Sequence, residues 1–184
     1  MTAINLADAR PGDIVAFETG GIFGRLIQLG QWLRRSDRRY RRFHHIAVIV
    51  DYDGCGNEGR ASPHNWLCVQ AARHVDIASL GQAASRGCPF TVFACPPDVD
   101  RSLVIAQARA LVGIEYGVLT IVSIGVDILT PRSLRVSFRA GGDPTLICSA
   151  LGALCLHAGG WLHEWQDIYQ VTPADLVGAL SIAA

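Results

Sequence analysis

His44-His45-Ile46-Ala47-Val48-Ile49-Val50 (residues 44–50, HHIAVIV) is the stretch on which the fold turns. Its β-branched run predicts a strand over His45 to Asp51. Side chains alternate along a strand, so His45, Ala47 and Ile49 share one face. His44 points the other way and, next to an arginine-rich segment, is expected to meet solvent. The stretch that must answer it lies far downstream. In DPTLICSALGALCL (residues 143–156) a loop ending in Asp143-Pro144-Thr145 turns into a helix of small and apolar residues, expected from Ile147 to about His157. Cys148 falls in its first turn, and Gly159-Gly160 ends it.

Working outward, Pro11-Gly12 marks a turn before a strand over Asp13 to Phe17. Ile22, Leu26, Leu29 and Leu33 recur at helical spacing and share a face of one helix. Asp53 to Asn65 reads as a loop. Strands follow at Trp66 to Ala72, His74 to Ile77, and Phe90 to Cys95, the last ended by Pro96-Pro97. Asp98 to about Val112 reads as a helix, with Asp98 or Asp100 set against its dipole. Tyr116 to Leu129 is expected to be helical and Arg132 to Thr145 a loop or short hairpin. Thr172-Pro173-Ala174-Asp175 is a helix start, with Thr as cap and Pro at the first helical position. Mostly strands, then helices, predicts the α+β class: one domain over residues 1–184 with an antiparallel sheet packed on helices.

Half of the 184 residues are hydrophobic and the formal net charge is zero. The chain can therefore bury a sizeable core, and no global field draws it to nucleic acid or anionic membranes. The neutrality is local bookkeeping between unlike regions. All 16 basic residues are arginine, and Arg34, Arg35, Arg38, Arg39, Arg41 and Arg42 crowd together around one acid, Asp37. That segment is either a solvated linker or an anion-facing patch for lipid head groups, cell-wall polymer or nucleic acid; no specific nucleic-acid motif accompanies it. The start, MTAINLADARPGDIV, has no basic region followed by an apolar one, so no signal peptide is predicted and a cytoplasmic protein is expected. A phage-borne protein released by other means fits as well. No uninterrupted apolar run has membrane-spanning length. The 6 cysteines are expected to be reduced thiols in such a compartment.

Three residues carry the chemistry. A helix N-terminus offers unpaired N–H groups and partial positive charge, which stabilise a thiolate at Cys148. Taken alone, Cys148 also fits a buried structural cysteine, and Cys155, two turns on, fits that better. His45, opening its strand, can reach such a helix start. Gln70, on the following strand, has an amide oxygen able to accept the imidazole N–H and hold its tautomer. The remaining histidines show no metal-ligand spacing, so no metal and no cofactor is expected.

These residues in this order resemble the NlpC-type peptidase superfamily, in its circularly permuted branch that includes YiiX-like proteins. PGDIVAF resembles the family's opening strand, HHIAVIV its histidine strand, VQAARHVDIASLGQ the strand of the third polar residue, ARALVGIEYGVLT the element before the nucleophile, LICSALGALCL the nucleophile helix, and VTPADL the closing motif. In the ordinary branch the cysteine helix comes first; here histidine comes first. The resemblance implies a papain-like fold and a cysteine hydrolase with Cys148 as nucleophile, His45 as base and Gln70 as orienting residue. It also implies Tyr116 and Ser149 as oxyanion or substrate contacts. Gln70 stands where the family often has an acid. The implied substrate is a peptide amide, such as peptidoglycan stem peptide, or alternatively a lipid or thioester acyl group. A binding or structural module with an inert cysteine is the third alternative.

Overall fold

The computed structural model describes residues 3–18, 21–33, 35–54, 59–72, 74–84, 87–115, 147–165 and 167–182. Within these, six strands form one sheet: β1 (Ala3–Ile4), β2 (Ile14–Phe17), β3 (His45–Tyr52), β4 (Trp66–Ala71), β5 (Val75–Ser79) and β6 (Phe90–Phe93). The order is β1-β6-β2-β3-β4-β5, and every neighbouring pair is antiparallel. Helices are α1 (Gly21–Leu33), α2 (Leu80–Ala83), α3 (Arg101–Ala110), α4 (Cys148–Ala158) and α5 (Pro173–Ile182). The protein is thus α+β, as its order of strands and helices predicts.

β3 is central and covered on both sides, which is why it reads as a continuous apolar run rather than a strict alternation. Ile46, Val48 and Val50 enter one cluster with Val104 and Ala108 of α3, Leu151 of α4 and Leu176 of α5. Ala47 and Ile49 enter a second cluster with Phe17, Trp66, Cys68 and Leu80. Two registers matter for the site: Ala47 stands opposite Gln70, and Gln70 stands opposite Asp76.

Polar locks fix the ends of these elements. Asp13, 1% exposed, accepts from Arg10 N at 2.7 Å and Cys95 N at 2.8 Å, and pairs with Arg101 at 2.7 Å. Gly12 precedes it at φ +94 with the Arg101 side chain against it, a backbone an L side chain rarely adopts. Asp100, not Asp98, caps α3: its carboxylate accepts from Ser102 N at 2.8 Å and Leu103 N at 3.4 Å. Thr172 and Asp175 exchange bonds at the start of α5, with Asp175 N donating to Thr172 Oγ1 at 3.2 Å and Thr172 Oγ1 donating to Asp175 Oδ2 at 2.6 Å. This reciprocal cap holds the closing VTPADL stretch.

Three local differences from the sequence reading have physical causes. The Leu29 and Leu33 side of α1 faces solvent, at 51% and 37% exposure. The helix is held instead by Gln31, 1% exposed, which donates to Phe43 O at 3.1 Å and accepts from Ala174 N at 2.8 Å. A buried amide with its partners satisfied outcompetes two leucines for the inner face. His44 is only partly exposed: its ring Nε2 is buried, and its backbone N–H donates to Phe17 O at 2.9 Å. The expected strand at His74 to Ile77 begins at Val75 and leads into α2 through a capping box in which Ser79 and Gln82 exchange bonds. The expected helix from Tyr116 to Leu129 and the loop from Arg132 to Thr145 lie outside the described residues.

Candidate active site

Cys148 opens α4. Ile147 before it is extended (φ −93, ψ 156), and among the described residues no side-chain bond caps the helix. The N–H groups of the first turn therefore remain available to a negative charge. The thiol is 3% exposed. Its Sγ lies 4.0 Å from the carbonyl oxygen of His44, so the first turn of α4 sits against the opening residues of β3. At that position the charge and hydrogen bonding of His45 and the backbone amides of Ile46 and Ser149 favour the thiolate form.

His45 is held from two other directions. Its Nε2 lies 3.2 Å from Gln70 Oε1, across the sheet from β3 to β4. An amide oxygen only accepts, so Nε2 carries the proton and Nδ1 is the nitrogen left for the thiol. The Phe17 ring lies beside the imidazole with centroids 5.5 Å apart. Gly152 lets α4 seat closely: a Cβ there would stand 2.9 Å from Leu176 Cδ2 and 3.0 Å from Ile46 Cγ2.

Burial is the largest single influence on both titrating groups, and it opposes the charged form of each. It is outweighed. The charge of His45, its hydrogen bond and the Ile46 and Ser149 amides together bring the Cys148 thiol below its ordinary value. Against burial, the charge of Cys148, its hydrogen bond, the Gln70 bond and the charge of Asp76 raise His45 above its ordinary value. Both shifts act in the direction of a thiolate–imidazolium pair. The other buried thiols behave as apolar burial dictates. Cys68 is pushed up to about 12 by burial and by Asp76, Cys95 to about 11 chiefly by burial, and Cys155 to about 12 by burial alone.

No family model matches the chain, and no curated protein matches it. The functional reading therefore rests on this geometry.

Of the expected site residues, the structure brings His45 to Gln70 and sets Cys148 against the start of β3, beside His44 O. Ser149 contributes differently from expectation. Its hydroxyl donates to Val171 O at 2.5 Å in a buried bond, so its side chain ties α4 to the segment before α5, while its backbone amide helps lower the thiol. Tyr116 lies outside the described residues. Asp76 is the residue that the motifs do not reveal. It stands across from Gln70 on β5, and its Oδ1 is buried with no hydrogen-bond partner. The signal is present in the alternation of VDIAS (residues 75–79), but only the β4–β5 register aligns it with Gln70.

Among the described residues no three His, Cys, Asp or Glu side chains gather as a metal site requires. The 5 described cysteines are free thiols. No described helix is long and apolar enough to cross a membrane.

Proposed function

We propose that this chain is a thiol hydrolase of papain-like architecture, in the histidine-first arrangement of the permuted NlpC-type enzymes. The observation that carries the reading is the contrast among its thiols. One of the buried cysteines is lowered, at a helix start against an imidazole that an amide oxygen holds, while Cys68, Cys95 and Cys155 are all raised.

In the mechanism, Cys148 Sγ attacks a substrate carbonyl carbon and a C–S bond forms. The negative charge that develops on oxygen is received by backbone N–H groups of the first turn of α4, the type of donor that gives the largest share of such catalysis. His45 gives its Nδ1 proton to the leaving amine as the C–N bond breaks, leaving a thioester on Cys148. It then takes a proton from the attacking water, and the acid departs as the thiol is restored. Gln70 keeps the imidazole in one tautomer throughout. A peptide amide, with peptidoglycan stem peptides first among candidates, is the proposed substrate class. The exposed Leu29, Trp32 and Leu33 of α1 favour acyl esters or thioesters as the second.

Iodoacetamide labelling against pH tests the chemistry. One thiol is expected to react fast well below the ordinary thiol value of about 8.5 and to vanish in Cys148→Ser. Uniformly slow thiols would leave an inert module. Incubation with muropeptides and with phospholipids, followed by mass spectrometry of the protein and products, separates the substrate classes; no adduct or product from either overturns both.

A further inference from the structure

The apolar side of α1 that faces solvent does not stand alone. Arg25, Leu29, Trp32, Arg38, Arg41 and Arg42, with Gln28, line an open groove of about 640 Å³. Trp32 is 59% exposed and Leu29 51%. Among the described residues four arginines line the groove and no acid does. Arg42 is partly answered by Glu18 at 3.4 Å, and Arg41 is engaged by the Ser36 carbonyl at 2.6 Å. Arg25 and Arg38 have no acidic partner among the described residues. We infer that this face is a docking surface for an anionic lipid bilayer.

Residues 29, 32 and 33 lie on one side of a helix, and the arginines flank them. Apolar and indole side chains edged by guanidinium groups match the boundary between acyl chains and phosphate head groups. A single-stranded nucleic acid would use the arginines and stack on Trp32, but it has no use for the leucines, and such grooves carry several aromatic platforms rather than one. The charge of the whole chain strengthens the inference. Net charge is zero, so the surface away from the arginines is net acidic. An anionic membrane would repel that surface and attract this one, which fixes orientation as well as attraction. The groove's last arginine, Arg42, is three residues before His45, so docking brings the His45 end of β3 toward the bilayer. Docking itself does not depend on thiol chemistry.

Co-sedimentation tests it, using the Cys148→Ala protein throughout so that docking and catalysis are read separately. Binding is expected to vesicles of equimolar phosphatidylcholine and phosphatidylglycerol, with a blue shift of tryptophan emission that Trp32→Ala removes. Pure phosphatidylcholine vesicles should bind far more weakly. Each basic residue near such a surface is worth about fivefold in partitioning, so Arg25→Gln with Arg38→Gln should weaken binding ~30-fold with the melting temperature unchanged. Equal binding to both vesicle types, no binding to either, or indifference to the double variant overturns the inference. Release from vesicles by inorganic phosphate or by a thymidine oligonucleotide at low charge excess also overturns it, in favour of a free-anion or nucleic-acid site respectively.

Discussion

Gly152→Ala is the sharpest probe of how the thiol is delivered to the imidazole. Gly152 lies one turn after Cys148 on α4, and the added Cβ would stand 2.9 Å from Leu176 Cδ2 and 3.0 Å from Ile46 Cγ2. Carbon atoms in contact prefer about 3.5–4.0 Å, so the shortfall is roughly 0.5–1 Å on two sides at once. Neither neighbour has room to retreat: Ile46 and Leu176 are both 0% exposed. Overpacking of this kind costs about 1–3 kcal/mol, against about 1 kcal/mol gained by replacing a helical glycine with alanine. Net destabilisation should be modest, about 1 kcal/mol. The larger effect falls on chemistry. Ile46 adjoins His45, so separating α4 from β3 by this amount weakens the influence of the imidazole and of the Ile46 amide that lowers the thiol. A misplacement near 1 Å is worth up to ~100-fold where geometry is demanding. Iodoacetamide rates at about pH 6 should fall ~10–100-fold, while rates at about pH 10, where thiols ionise unaided, should change little. A folded variant whose rate at the lower pH stays near that of the parent would refute the claim that close seating of α4 on β3 lowers the thiol.

Cys148→Ala should drop the His45 pKa, read by imidazole NMR, because burial then faces only the Gln70 bond and the Asp76 charge. A raised histidine stabilises the fold fully below about 6.5 and loses that contribution as pH rises through its folded value; a lowered cysteine contributes above about 8.5 and loses it as pH falls through its own. The His45 contribution is therefore expected to be lost as pH rises above about 6.5 toward its raised folded value, and the Cys148 contribution as pH falls below about 8.5 toward its lowered one; a flat profile matching Cys148→Ala would contradict it. Gln70→Ala removes the 3.2 Å bond to His45 and should slow substrate turnover ~10-fold or more while leaving the melting temperature within a few degrees; unchanged turnover denies Gln70 an orienting role. Asp76→Asn should lower the His45 pKa and slow alkylation near neutral pH several-fold, an effect absent if the carboxylate is only structural. Asp13→Asn breaks a carboxylate that is 1% exposed and paired with an arginine that is 32% exposed. Discounted for that exposure, the loss is about 2–4 kcal/mol, a fall in melting temperature of about 5–15 °C; a change under about 2 °C would count against the lock.

Local patterns made most of this legible. β-branched runs gave β3 and β4, and the Thr172-Pro173 start gave α5, because each signal is contained in a few adjacent residues. Cys148, His45 and Gln70 were readable for the same reason: each sits at a recognisable position within its own element. What escaped needed a partner distant in the chain. β1 has only Ala3 and Ile4, and it exists because Val92 and Phe93 of β6 pair with it. Asp76 acquires meaning only through the β4–β5 register. The inner face of α1 is not legible locally, because apolar spacing favours Leu29 and Leu33, whereas Gln31 finds Phe43 O and Ala174 N across the fold. The α2 cap is different: Ser79 followed by Gln82 is a sequence signal in its own right.

Cys155 turns the site into a controlled comparison. It shares α4 with Cys148, and both belong to the same buried cluster. They are 0% and 3% exposed respectively. Burial acts on both and raises both, yet Cys155 ends at about 12 while Cys148 ends below its ordinary value. Helix identity, apolar surroundings and low exposure are common to the two and cannot separate them. What differs is the helix start and His45. A buried ion pair is a poor means of stabilising a fold, since apolar side chains of similar size serve as well or better. The charge arrangement around Cys148 therefore makes little sense as packing. On the proposed hydrolase reading it makes chemical sense as a thiol drawn toward ionisation, with Gln70 bonded to the imidazole and Asp76 adding, from the next strand, negative charge that a glutamine cannot.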